Sequence, residues 1–349
     1  MALESHHILQ ALRNLLDIPS PTGLTAECLA WLERELHTLG VKTTYSRKGA
    51  LKWSIGGGKG APRAILAHID TLGAMVKEIK YNGRLRLAML GGYEWGTVEG
   101  EYCLIHTQSG RGLSGTVVNV RQSTHVWGAA LSENKRNSET LEVRLDALLD
   151  GRAIGSALDT RALGVAVGDF VSWQPRTEVF ENGYIKSRFL DNKAGVAILL
   201  AITKELLTGK KKLPSRVDFI ITNYEEVGHG AAGTVAPDVA EVVAVDMAAI
   251  GDGQTSSEMH CTLCVKDSSG PYDHSLSQHL RQVATRAGVD LKIDIYPFYS
   301  SDASAAWNAG LDAKCALIGP GVDASHAYER THVNALLETS KLLLEYLRN

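Results

Sequence analysis

Cysteine is scarce in this chain of 349 residues. The five present, an odd number at irregular spacing, exclude a disulfide framework and fit a reducing compartment. Cys261 and Cys264 form one Cys-x-x-Cys pair, with neither a second pair nor a following histidine pair at finger spacing. That excludes a structural zinc site and leaves two small apolar residues on a buried element. No apolar run reaches the roughly 18 residues of a membrane span. The opening Met1-Ala2-Leu3-Glu4-Ser5-His6-His7 lacks the basic-then-apolar plan of a signal peptide, so a cytoplasmic protein is expected. The net charge of −3, from 36 basic and 39 acidic residues, gives no electrostatic case for a nucleic-acid partner. The run Gly56-Gly57-Gly58-Lys59-Gly60 lacks the Gly-Lys-Ser/Thr ending of a phosphate loop, and Pro62 with a strand follows it. A flexible turn is expected there. Internal repeats and low-complexity tracts are absent.

A hydrophobic content of 44% beside 21% charged residues is that of an ordinary globular protein. The length calls for two domains, or one large domain with an insert. Helical spacing from about Ser5 to Leu39 is broken near Pro19 and Pro21, and the second helix stops at Gly40. A hairpin-like stretch follows. From about Gly73 to Pro175 short alternating segments, such as Gly115-Thr116-Val117-Val118-Asn119-Val120, are separated by glycine-rich turns. That texture predicts a small β-barrel or sandwich. Helices alternate with strands again from Asn192. The expectation is an α/β domain, a central mixed sheet flanked by helices, formed by residues 1–72 and 177–349, with a β domain inserted at 73–176.

Charged residues stand just past the apolar runs. Ala64-Ile65-Leu66-Ala67 leads into His68-Ile69-Asp70, Val217-Asp218-Phe219-Ile220-Ile221 into Glu225-Glu226, and Val242-Val243-Ala244-Val245 into Asp246. In an α/β sheet the carboxyl ends of the strands converge on one ligand crevice. Packing alone does not explain three such placements, although each residue taken singly could be a turn, a cap or a satisfied polar group. Asp191 lies between an extended segment and a helix, where a carboxylate could bridge two cations. Glu225 and Glu226, diverging on an extended backbone, could divide their tasks. One would ligate a cation, and the other would accept a proton from the attacking water. Asp70, two residues from His68, is the candidate to hold that imidazole's second nitrogen. His326 offers the last ligand, with His332 as its competitor. Together these positions supply the nitrogen and oxygen donors of a zinc or cobalt pair, with one glutamate to spare.

The chain resembles the tetrahedral (TET-type) metallo-aminopeptidases, the group that includes glutamyl and deblocking aminopeptidases, nearly end to end. Ala67-His68-Ile69-Asp70-Thr71-Leu72-Gly73, Leu190-Asp191-Asn192-Lys193-Ala194-Gly195 and Glu225-Glu226-Val227-Gly228 resemble its ligand motifs, and Ser301-Asp302-Ala303 a later segment. The resemblance implies a zinc-exopeptidase-like catalytic domain with an inserted β-barrel. It also implies two divalent metal ions, with zinc expected and cobalt or manganese as substitutes. His68 and Asp246 would serve one ion, Glu226 and His326 the other, Asp191 both, and Glu225 would be the general base. Short peptides would be the substrates. The insert would pair subunits of a homo-oligomer, with a dodecamer favoured.

This chain departs from the family near the substrate end. Only His229 intervenes between Gly228 and Gly230, and Ser325-His326-Ala327-Tyr328-Glu329-Arg330-Thr331-His332 replaces the terminal Arg-Tyr-x-His pattern. The altered tail also resembles a bacterial subgroup associated with genes for a dipeptide-amide osmoprotectant. The rival readings are a di-metal carboxypeptidase or N-deacylase, with Lys193 or Arg330 clamping a substrate carboxylate, and a non-catalytic assembly or binding protein.

Overall fold

The computed structural model describes residues 5–209 and 211–349. Four parallel strands form its centre, in the order Ser215–Thr222, Gly60–His68, Glu241–Val245 and Lys314–Val322. Leu51–Ile55 and Cys261–Asp267 pair antiparallel on either side, making the sheet mixed. The central strands read as near-continuous Val, Ile, Leu and Ala because both faces are covered. Ala64, Leu66, Val242 and Ala244 share an apolar cluster with Ala303 and Ala306 of the helix Asp302–Asn308. The intervening Ile65, Val243 and Ile318 are equally buried. Helices Leu190–Thr208 and Val333–Arg348 lie against the same sheet.

The helix Leu190–Thr208 is buried without a break from Leu190 to Thr203, so it is apolar all round rather than amphipathic. Past Asp191 and Asn192 at its start, Lys193 is the charged exception inside it. Its ammonium donates to the carbonyls of Leu15 (2.8 Å) and Ile18 (2.6 Å), at and just past the end of the first helix, Ser5–Asp17. Those are carbonyls that a helix end leaves without intrahelical partners. Burial pushes the Lys193 ammonium below its usual range, against the pull of Cys28 and Asp17. Lys193 is thus committed to tying two helices together.

Local expectations meet mixed outcomes. The second helix, Ala26–Thr38, ends two residues before Gly40, which takes a positive φ of 76°. Thr44–Tyr45 pairs antiparallel with Leu51 and Lys52, as the hairpin reading expects. Cys261 and Cys264 lie buried on one strand, where residues three apart face opposite sides.

Residues 71–175 form a separate compact unit. Its closed barrel runs Phe170–Trp173, Gly73–Ile79, Leu85–Leu90, Leu141–Leu145, Gly112–Asn119, Tyr102–His106 and back, with every pairing antiparallel. Val76, Leu85, Ile105, Val117, Val143 and Val171 are buried in it. Trp127, by contrast, stays 44% exposed. Among the described residues, no helix is long and apolar enough to cross a membrane.

Candidate metal centre

The sheet register brings the charged residues together. His68 is the last residue of its strand and lies beside Thr222, while Asp246 directly follows the strand Glu241–Val245. Gly319 on the adjoining strand lets the backbone pass Asp246 closely, since a Cβ there would lie 1.4 Å from the Asp246 carbonyl oxygen.

Asp191 stands at the middle of the cluster and divides its oxygens. Its Oδ1 is 3.1 Å from His68 Nε2, and its Oδ2 is 3.3 Å from His326 Nε2. Asp246 Oδ1 and Glu225 Oε2 each lie 3.7 Å from His68 Nε2. Glu226 Oε2 lies 3.7 Å from His326 Nε2. Two donor groups result, His68 with Asp191 and Asp246, and Asp191 with Glu226 and His326. Within each group the ligand atoms are within 4.8 Å of one another.

The backbone around Asp191 is held by its neighbours. Phe189 has a positive φ of 71°, and Asp191 and Asn192 interrupt the helical dihedrals across a cis peptide bond. Asn192 donates to the Val245 carbonyl (2.8 Å) and accepts from the Gly195 N–H (3.1 Å). Glu329 links the two halves of the site. Its carboxylate accepts from the backbone N–H of Asp191 (3.1 Å) and of His326 (3.2 Å).

Two local expectations are corrected here. Glu225 and Glu226 do not sit on extended backbone but open a single 3₁₀ turn, Glu225–Val227, closed by Gly228 at φ 84°. The cause is Asp70, whose carboxylate accepts from both their N–H groups (3.1 and 3.2 Å) as a capping side chain would. Asp70 also accepts from the Thr22 hydroxyl (2.7 Å). Its carboxylate is therefore occupied, and His68 Nδ1 meets the Asp70 backbone carbonyl at 3.0 Å, with the nearer carboxylate oxygen at 3.6 Å.

His332 lies outside the cluster. Its Nε2 donates to the Asn182 carbonyl (2.9 Å), and its Nδ1 accepts from the Asn334 N–H at the start of the last helix. Neither proposed carboxylate clamp is available for that role. Lys193 is committed as described, and Arg330 forms an ion pair with Glu258.

The electrostatics are those of crowded buried charge. Burial drives the Glu225 carboxyl well above its usual range, against the pull of His68 and with a push from Asp246. Burial does the same to Glu226, and the negative charge of Asp191 adds to it. Asp246 is also raised, chiefly by burial. For Asp191 burial acts upward, but hydrogen bonds to His326 and His68 outweigh it and hold the carboxyl far below the ordinary range. For His68 burial acts downward, yet Asp246, Glu225 and Asp191 prevail and raise it well above the usual imidazole value.

Two further buried carboxylates escaped the sequence reading as members of the site. Asp302 accepts from the Thr222 hydroxyl (2.5 Å) and the Ala231 N–H (2.8 Å), and burial raises it to about 7. Glu329 is raised to about 8, by burial first and then by Asp191. Only the fragment Ser301-Asp302-Ala303 signalled the first, and nothing local signalled the second.

The donor set fits divalent cations. Glu226 Oε1 is buried with no hydrogen-bond partner, a costly state for a carboxylate oxygen that a cation would relieve. Imidazole with carboxylate suits zinc, cobalt or manganese. Beside the cluster lies an open cleft of about 720 Å³, within the usual range of ligand sites.

A mixed α/β sheet with this acidic and imidazole array, opening on a cleft, has the donor set of a metal-dependent hydrolase. The chain belongs to the M42 glutamyl aminopeptidase family, whose model matches residues 49–342. It is 46% identical over 342 residues to YhfE of Bacillus subtilis, named as a candidate aminopeptidase, covering 98% of this chain and 97% of that protein. Its fold is similar to the TET1 peptidase of Pyrococcus horikoshii, a protein that can assemble into a tetrahedron or a large octahedral shell. The TM-score there is 0.84 at 21% identity, covering 97% of this chain and 99% of that one. A TET aminopeptidase from a marine-sediment Thaumarchaeota archaeon superposes with a TM-score of 0.88 at 18% identity, covering 98% and 97%. The resemblance drawn from the motifs and the fold class are both borne out.

Proposed function

We propose that this aminopeptidase trims N-terminal residues from short peptides, with two divalent ions, zinc by expectation, held by His68, Asp191, Glu226, Asp246 and His326. The observation that carries this reading is Asp191, whose two carboxylate oxygens face two different histidines, each within 3.3 Å. Bound there, the ions would supply Lewis acidity toward the scissile carbonyl and make the attacking water more acidic. Glu225 is the group left over. Its Oε2 stands 3.7 Å from His68 Nε2, and its side chain is 12% exposed on the cleft wall. It takes the proton of the attacking water and passes it to the leaving amine. Asp70 fixes Glu225 and Glu226 through their N–H groups, and Glu329 fixes Asp191 and His326 in the same way. Both are positioning residues.

A screen of aminoacyl and N-acyl amides with zinc, cobalt or manganese tests the substrate class. Cleavage of free-amino substrates is expected, and cleavage confined to N-acyl or free-carboxylate substrates would favour the deacylase or carboxypeptidase reading. Lys193 and Arg330 are otherwise engaged, which counts against the latter. Intact ligands and base count against a non-catalytic binding protein. For the tail, His326→Ala should lose bound metal while His332→Ala retains it, as read by elemental analysis. Equal loss in both would refute the assignment.

Assembly is part of the proposal. The chain acts as a cytoplasmic homo-oligomer paired through residues 73–176, with a dodecamer favoured, so that folded proteins are excluded from the site. Light scattering at micromolar concentration should report a mass many times that of the 37.7 kDa chain. A fully active monomer would contradict this part.

A further inference from the structure

Besides the metal ligands, the cleft beside the cluster has an apolar lining. Met247, Ile250, Tyr296, Pro297, Phe298 and Tyr299 line it, and the Tyr296 and Tyr299 rings pack with centroids 5.4 Å apart. Several polar groups of this wall are already engaged. Tyr299 Oη donates to the Met247 carbonyl (3.1 Å), Tyr296 Oη shares a hydrogen bond with Ser256 Oγ (2.9 Å), and Gln254 Nε2 donates to the Ile295 carbonyl (3.2 Å). Two neutral hydroxyls, Ser300 and Ser325, also line the cleft. Among the described residues no lysine or arginine lines it, and the one charged group outside the metal cluster is Asp252, which is exposed.

We infer that this wall receives the side chain of the substrate's N-terminal residue and selects uncharged apolar or aromatic residues, disfavouring glutamate and aspartate. The inference rests on the aminopeptidase reading above and departs from the glutamyl preference in the family's description. A substrate carboxylate would leave water for a wall that offers no lysine or arginine to pair with it. Moving an ionised group into such a place is costly without a partner. A lysine ammonium would find only Asp252, and an exposed ion pair contributes little. A leucine or phenylalanine side chain loses nothing polar and covers apolar surface left open on Ile250, Phe298 and Tyr299.

The test is kcat/KM for the p-nitroanilides of leucine, phenylalanine, lysine and glutamate, measured on the full-length metal-loaded enzyme. Leucine or phenylalanine should exceed glutamate by a factor on the order of 100, with lysine below leucine. Ile250→Arg, which places a cation on the wall, should narrow the leucine-to-glutamate ratio by about tenfold or more. Phe298→Arg, at a fully exposed position, makes the same test if Ile250→Arg fails to fold. Glutamate or lysine cleaved faster than leucine overturns the inference and leaves the aminopeptidase reading standing. A ratio unmoved in a folded variant overturns the placement of the subsite. Hydrolysis of none of the four substrates sinks the aminopeptidase reading and the inference with it.

Discussion

Glu225→Gln should lower kcat by a factor on the order of 100 or more and leave the site's metal in place. The substitution keeps the shape of the side chain and removes its ability to take a proton. Both glutamates line the cleft, but the Glu225 side chain is 12% exposed against 3% for Glu226, whose Oε1 is buried without a hydrogen-bond partner. The N–H groups that Asp70 holds are backbone groups, so they persist in the variant and the 3₁₀ turn should survive. A loss confined to KM would assign Glu225 to substrate binding instead. Steady-state kinetics on a single aminoacyl substrate separates the two outcomes.

Exhaustive chelation should abolish hydrolysis while leaving far-ultraviolet circular dichroism nearly unchanged. The reason lies in the fold. His68 and Asp246 stand at the ends of strands whose own residues, Ile65 and Val243 among them, are fully buried, and Asp191 opens a helix buried against the same sheet. Hydrophobic burial on both faces of that sheet does not depend on the site. The contrast is with small metal-folded domains, where the metal supplies the folding free energy. Re-addition of zinc, cobalt or manganese should restore activity. A collapse of the helical signal on chelation would mean that the cluster carries the fold as well as the chemistry.

What could be read from the sequence follows from how the strands are built. Continuous apolar runs mark a sheet buried on both faces, so a charge at the end of each run had to lie where the strands leave the core, at their carboxyl ends. That made His68, Glu225, Glu226 and Asp246 legible together. The alternating, glycine-punctuated middle of the chain likewise announced a β module, and it closes as a barrel. The rest of the site was hidden because it depends on contacts between distant segments. Glu329 acts by accepting backbone N–H groups from Asp191 and His326, and no side-chain pattern records such a contact. Asp70 was assigned to His68 by strand alternation, yet its carboxylate faces the Glu225 turn, whose tight geometry nothing in the Glu-Glu pair foretold. The sequence favours His326 over His332, and the fold supplies the physical reason, since the second caps the last helix.

The division of labour between Asp191, Glu226 and Glu225 is the centre of this account, and metal content tests it most directly. Elemental analysis of purified wild type, Glu225→Gln and Glu226→Gln should give two divalent ions per chain for the first two. Glu226→Gln should fall clearly below two. Equal loss in both variants, or an active wild-type sample verified to be free of metal, would contradict the two-metal site.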